Sequence, residues 1–433
     1  MSRRIVLALV LLALISVPAS AGSPPNILFI LVDDLRWDSV GHAGNSVIQT
    51  PEIDALAAQG ARLTRFYTVA PRCAPSRAAI LTGLYPHQAG NGIQANELWK
   101  DFSDATPTLV THLNAAGYLT AFVGKAHLGG DPRAWGFQDV PLWLAPGASF
   151  YDEPLLMTGD RQRHVQGNIT EAFSRTAIEF LQRRGTGDQP WFLWFATTAP
   201  HFPGCGSCSA EFPYDQAEIE ASPPPGLAPG TPMANVEWDQ YYSTITHLDR
   251  EIGNLLDEVT ALGLDSDTFV FLASDNGIMN DSHGIRTKGV WYEESTRLVG
   301  IVRGPGITPG TVLNNPVTTV DLLPTFLEIA GVPRPSNLEG KTALPLLTGG
   351  LPLRTTIFAE MSANQVAPWQ MVVSTTSVSA GYKYVALLGG SEETLYHLDS
   401  DEFELVDLLQ GTPPVNVLNH MRQLLEDWQA ATP

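Results

Sequence analysis

Positive charge is scarce in this chain. Its 433 residues carry 25 lysines and arginines against 45 aspartates and glutamates, a net charge of −20. That balance excludes a broad electrostatic grip on nucleic acid or on an anionic membrane surface. Long apolar runs are wanting too. The stretch Ile5 to Val17, near the start, falls short of the ~20 residues a membrane span needs. With Arg3 and Arg4 before it and Ala19-Ser20-Ala21 after it, that stretch reads as a secretory signal. Residues 1–21 are therefore expected to be removed. The mature protein is expected to be exported, to a periplasm, the outside or a eukaryotic lysosome, without stable membrane insertion.

Cysteine is the scarcest feature, at three residues. Cys205 and Cys208 form a C-x-x-C loop in "HFPGCGSCSAEFP", which reads as a local disulfide in an oxidising compartment. A zinc knuckle would need a second pair that the sequence lacks, and a thioredoxin-like site would need a strand-to-helix context. Cys73 is left as the unpaired thiol. Neither repeats nor low-complexity segments interrupt a composition, 44% hydrophobic and 16% charged, typical of globular proteins.

What is present is a recurring pattern. "NILFILVDD", "PWFLWFATTAPHFP" and "DTFVFLASDNG" are short unbroken apolar runs that give way abruptly to polar residues. Such runs suit strands buried on both faces. Helical stretches alternate with them: "PEIDALAAQG", "TPTLVTHLNAAG", "ITEAFSRTAIEFLQRRG" and "DQYYSTITHLDREIGNLLDEVTALG". Gly60 and Gly117 sit where C-caps are expected. The fold class is α/β: a large, mostly parallel sheet sandwiched by helices over residues 22–350. From Leu351 the texture changes to short strands with turns and a last helix, a smaller α+β domain with a small antiparallel sheet over residues 351–433.

In parallel sheets ligands bind beyond the carboxyl ends of the strands. Asp33, Asp34, Asp275 and Asn276 stand there as hard oxygen donors, suited to Ca²⁺ or Mg²⁺ over zinc. Taken singly, D-D and D-N-G also serve as turn residues. Lys125 and His127 in "GKAHLGG" would face the same way if extended. His201 lies between two prolines, and His283 and Lys288 follow the D-N-G. Cys73, at what reads as a helix mouth beside Arg77, is either a thiolate of lowered pKa or a buried structural thiol.

The stretch "CAPSRAAILTG" resembles the signature of the sulfatase family, within the alkaline-phosphatase-like superfamily. "NILFILVDDLRWDSVG", "GKAHLGG", "TTAPHFP", "LASDNG", "KGVWYEESTRL", "VRGPG" and "DLLPTFLEIAG" follow the family's order, from about Asn26 to beyond Tyr396. The resemblance implies hydrolysis of a small-molecule or carbohydrate sulfate ester. It also implies that Cys73 is oxidised to formylglycine by a formylglycine-generating enzyme. Asp33, Asp34, Asp275, Asn276 and residue 73 would hold a divalent cation, Ca²⁺ before Mg²⁺. Asp275 would accept the attacking proton, and Arg77 and Lys125 would orient residue 73. Lys125, His201 and Lys288 would bind sulfate, with His283 in a weaker supporting or sulfate-binding role. His201, with Lys288, would protonate the leaving alcohol, and His127 would take the second proton.

Two positions depart from the family: Ala126 replaces a usual Trp, and Val299-Gly300 a Val-Pro pair. Specificity is expected in the stretches Trp135 to Asp160 and Ala210 to Trp238, where Trp143, Phe150, Tyr151 and Tyr214 are candidates to stack on a ring. Asn168 and Asn280 head glycosylation sequons. The alternatives are a phosphonate monoester or phosphodiester hydrolase of the same superfamily and a non-catalytic exported binding protein.

Overall fold

A computed structural model describes residues 24–89, 107–144, 151–201, 205–221, 238–352, 354–362 and 367–432. The proposed signal lies outside them. Among the described residues no helix is long and apolar enough to cross a membrane.

The large sheet has ten strands. Its centre is parallel, in the spatial order Thr268–Ser274, Asn26–Val32, Trp191–Ala196, Leu119–Lys125 and Asp139–Leu144. Gly300–Arg303 runs antiparallel beside Thr268–Ser274. An antiparallel pair, Leu155–Thr158 and Arg161–His164, finishes the other side. The alternation expected of a doubly covered strand is plain in Asn26–Val32, which is buried throughout. Ile27, Phe29 and Leu31 face one way and pack with Leu109, Leu322 and Phe326. Leu28, Ile30 and Val32 face the other way and pack with Ile53, Phe173 and Leu248. These partners belong to helices Leu109–Ala115 and Leu322–Ile329 on one face, and Pro51–Gln59, Ile169–Arg184 and Trp238–Ala261 on the other.

Gly60 is the C-cap of its helix, as expected, but not by left-handed geometry. Gly60 closes the Pro51–Gln59 helix at φ −130, outside the left-handed region. Its reason is space, since a Cβ there would stand 2.3 Å from the Val302 carbonyl oxygen. Gly117, at φ +89, does take the left-handed conformation.

The last part of the chain forms a four-stranded antiparallel meander, Thr356–Met361, Trp369–Ser374, Tyr382–Leu387 and Glu393–His397. The helix Val415–Ala431 covers one face through Met421, Leu425 and Trp428. The other face packs on Tyr67, Trp291 and Tyr292 of the large unit. A buried ionic knot joins the two there. Lys383 reaches Glu293 at 3.0 Å and Glu404 at 2.9 Å, and the Tyr67 hydroxyl donates to Glu293 at 2.7 Å.

Candidate active site

The central strands end nearly level, with Val32 paired to Ser274, and Leu31 and Gly124 both paired to Ala196. Whatever follows each strand is therefore delivered to one place. Asp33 and Asp34 follow the first strand, and Asp275 and Asn276 follow Thr268–Ser274. Lys125 closes Leu119–Lys125, and His201 lies just beyond Trp191–Ala196. Asp34 turns the chain with φ +61, and its carbonyl accepts from the Tyr241 hydroxyl at 2.8 Å.

The first residue of the helix Cys73–Thr82 points into this floor. The Cys73 thiol donates to Asp33 Oδ1 at 3.0 Å and accepts from Lys288 Nζ at 2.9 Å. Ligand atoms of Asp33, Asp34, Cys73 and Asp275 all lie within 4.8 Å of one another. Asn276 Nδ2 donates to Asp34 at 2.6 Å, while its Oδ1 is buried with no partner. Arg77 Nε donates to Asp275 at 2.9 Å, and the same guanidinium reaches the Lys125 carbonyl and stands 3.8 Å from Asp33. Lys125 pairs with Asp33 and Lys288 with Asp34, and His201 Nε2 is 3.7 Å from Asp34. The structure thus brings together Asp33, Asp34, Cys73, Arg77, Lys125, His201, Asp275, Asn276 and Lys288.

Burial works against charge at Asp33, but Lys125, His201, Arg77 and Lys288 outweigh it and hold the carboxyl well below its usual range. Burial, with Asp33 alongside, pushes Asp275 up to about 6 against the pull of Arg77. Burial and the nearby Lys125 bring His201 down to about 4. The thiolate reading of Cys73 is corrected, because burial and Asp33 drive the thiol pKa well up despite Lys288 and Lys125. Three carboxylates, an unpartnered amide oxygen and a nearby nucleophile position fit a hard divalent cation with oxygen preference.

His127 is near but not extended, at φ +50, so it does not share a strand face with Lys125. Burial and then Lys125 hold it neutral, and its Nδ1 is buried without a partner. His283 is not brought to the cluster. Its ring stacks on Tyr292 at 3.7 Å between centroids, with Nε2 3.9 Å from Glu294. Ala126 is buried in the core, and Gly300 is needed because a Cβ would meet Phe66 at 2.8 Å.

The expected Cys205–Cys208 disulfide is formed. Of the candidate aromatics, Trp143 and Tyr151 are buried, Tyr214 bonds Thr246 and Gln49, and Phe150 lies outside the described residues. Both sequon asparagines are buried, and Asn168 caps the Ile169–Arg184 helix. Sequence reasoning missed Ser76, which donates to the Asp275 carbonyl at 2.6 Å, and it offered Tyr151 only as a stacking ring, whereas its hydroxyl donates to the His201 carbonyl. It missed Arg72 as well, although that residue adjoins the motif.

A buried carboxylate floor, a helix-mounted nucleophile position and a ring of cations define a centre for hydrolysing an anionic ester. The sulfatase family pattern matches residues 25–332, and the C-terminal pattern of N-sulphoglucosamine sulphohydrolase matches residues 281–431. The chain belongs to the sulfatase family, the sulfuric ester hydrolases. It is 30% identical to an ulvan-active sulfatase of Formosa agariphila, over 75% of this chain and 65% of that one. With N-acetylgalactosamine-6-sulfatase of Canis lupus familiaris it shares 29%, over 77% and 67%. With arylsulfatase A of Bos taurus it shares 31%, over 80% and 73%. Among solved structures, BT4656 in complex with its substrate D-glucosamine-2-N,6-O-disulfate superposes with a TM-score of 0.81 at 22% identity, covering 94% of this chain and 98% of that one. The phosphonate monoester hydrolase of Silicibacter pomeroyi superposes at 0.75 and 20%, covering 94% and 96%. These two likenesses establish the alkaline-phosphatase-like fold.

Proposed function

We propose that the protein is an exported hydrolase that cleaves a sulfate ester of a carbohydrate to the alcohol and inorganic sulfate. The observation that carries this is the meeting of Asp33, Asp34, Asp275 and the unpartnered Asn276 oxygen with residue 73, Lys125 and Lys288. The names of the ulvan-active and N-acetylgalactosamine-6-sulfatases support a sugar as the alcohol.

In this reading Asp33, Asp34, Asp275 and Asn276 hold Ca²⁺, which would supply Lewis-acid polarisation of a sulfate oxygen. Residue 73, matured to formylglycine, would supply the nucleophilic oxygen, and the Sγ present here stands in its place. The chain's own residues do the rest. Arg77 fixes Asp275 and the Lys125 turn, so that Asp275 can accept the proton of the attacking group. Lys125 and Lys288, each already beside a carboxylate, turn toward sulfate oxygens as charge develops on them. His201 holds its proton for the departing alcohol, and an incoming anion favours that protonated form. His127 takes the later proton that releases sulfate, and His283 braces the segment carrying Lys288 through Tyr292. The division at residue 350 and the removal of residues 1–21 belong to the same reading.

The test is turnover of 4-nitrophenyl sulfate and of the matching phenylphosphonate ester by calcium-loaded protein, beside the mass of the tryptic peptide that begins at residue 73. Sulfate turnover above phosphonate turnover, with the peptide at the aldehyde mass, is expected. The reverse preference would move the protein to the phosphonate hydrolases. No turnover of either, with aldehyde and calcium both present, would make it a binding protein.

A further inference from the structure

Three acids and four cations meet at the strand ends, and their pairing leaves one cation over. Asp33 is met by Lys125 and Arg77, Asp34 by Lys288, and Asp275 by Arg77. The fourth cation is Arg72, directly before Cys73. Among the described residues its guanidinium has no hydrogen bond or ion pair, and its Nε is buried without a partner.

The main chain at Arg72 is fully engaged. Its N–H donates to the Ala70 carbonyl at 2.8 Å, and its own carbonyl accepts from the Ser76 N–H at 3.0 Å. The side chain lies over Gly289, the residue after Lys288, where a Cβ would stand 3.0 Å from Nε and 3.4 Å from Nη2. Gly289, at φ +93, offers that seat because it has no side chain, and its carbonyl is taken by the Trp369 indole N–H at 3.0 Å. Arg72 is therefore placed by the fold beside residue 73 with no carboxylate in hydrogen-bond or ion-pair reach, the charge of Asp34 acting on it only from farther off. A guanidinium presents a rigid fork of donors that matches an oxyanion through two parallel bonds. The sulfate to be cleaved already has Lys125, Lys288 and His201.

We propose that Arg72 binds a second oxyanion, a sulfate or carboxylate carried on the alcohol part of the substrate. The preferred ester is then a multiply charged sugar and not a singly sulfated neutral one. This rests on the sulfatase reading above and adds the substrate class to it.

The test uses calcium-loaded Cys73→Ala protein, which cannot turn over, and titration calorimetry. The probes are galactose 6-sulfate, the three galactose disulfates that add a sulfate at O2, O3 or O4, and galacturonic acid sulfated at O2. At least one doubly charged probe is expected to bind roughly tenfold to a hundredfold more tightly than galactose 6-sulfate, the size of one charge-assisted pair. Arg72→Gln should collapse that ratio toward one, and Arg72→Lys should restore part of it. Preference among the disulfates alone assigns the second group as sulfate, and preference for the uronic acid assigns it as carboxylate. The inference is overturned by a wild-type ratio of one, by a ratio that survives Arg72→Gln, or by equal weakening of all probes. Equal weakening would give Arg72 to the reacting sulfate. Failure of every probe to bind would remove the sugar sulfate ester proposed above as substrate, and this inference with it.

Discussion

Lys383→Met removes the cation that bridges Glu293 and Glu404 in the buried knot between the large sheet and the C-terminal meander. Lys383 is wholly buried, as are Glu293 and Glu404, its partners at 3.0 and 2.9 Å. Breaking a buried pair from one side leaves uncompensated charge and costs about 3–5 kcal/mol. Glu404 can escape part of that cost by taking up a proton. Burial, with Glu293 nearby and Lys383 opposing, already holds Glu404 at about 8, against 4.5 for an ordinary glutamate. An acid whose folded pKa is raised binds its proton in the folded state, so its penalty is absent below 4.5 and grows as pH rises through the folded pKa. The relief amounts to about 1.4 kcal/mol for each pH unit below that value, until only lost contacts remain. At pH 6 a protonated Glu404 leaves Glu293 facing the Tyr67 hydroxyl at 2.7 Å and Arg297 at 3.8 Å. Urea unfolding of wild type and Lys383→Met at pH 6 and pH 9 is the assay. The expected loss is about 3–5 kcal/mol at pH 9 and about 1–2 kcal/mol at pH 6. Equal losses at the two pH values, or less than about 1 kcal/mol at pH 9, would refute the reasoning.

Gly124→Ala places a Cβ 1.7 Å from the Ala196 carbonyl oxygen at φ +125, so the two strands must part just before Lys125. The expected cost exceeds about 4 kcal/mol, and a variant with wild-type thermal unfolding would contradict the packing described. His87 meets Glu360 at 2.6 Å and the Thr432 carbonyl at 2.7 Å, and although burial opposes it, the Glu360 bond raises its pKa above 6.5. Its stabilisation is full below pH 6.5 and fades as pH rises through the folded value, so His87→Gln should flatten the fall in Tm between pH 6.5 and 9. Asn276→Ala deletes the unpartnered oxygen and should weaken Ca²⁺ binding at least about tenfold by calorimetry, with a matching rise in the calcium needed for activity. Unchanged calcium affinity would take Asn276 out of the ligand set.

The centre of the fold was legible because both-face burial writes itself locally. "NILFILV", "WFLWFA" and "TFVFLAS" are apolar apart from Asn26, Thr268 and Ser274 at strand ends, and the structure makes each a fully buried strand. Most of the site was legible for a related reason, since strand ends in register must gather whatever follows them. The parts that were not legible depend on contacts between distant residues with no local pattern. Tyr151 reaches the His201 carbonyl across fifty positions, and Lys383 reaches Glu293 across ninety. His283 shows that sequence proximity does not fix direct contact. Its place in sequence, close to Lys288, suggested the cluster, but a left-handed turn at φ +55 lays its ring on Tyr292. Gly60 sits at a helix end, yet the neighbouring strand's Val302 carbonyl is what demands glycine there.

Residue 73 is only 3% exposed, and every residue of the helix it begins is buried. A second enzyme cannot close on a sulfur sealed between Asp33 and Lys288. The maturation proposed for this position therefore belongs to the chain before it folds, and each molecule has a single chance at it. On that proposal folding and maturation would compete in time, and protein that folded first would keep its thiol at residue 73.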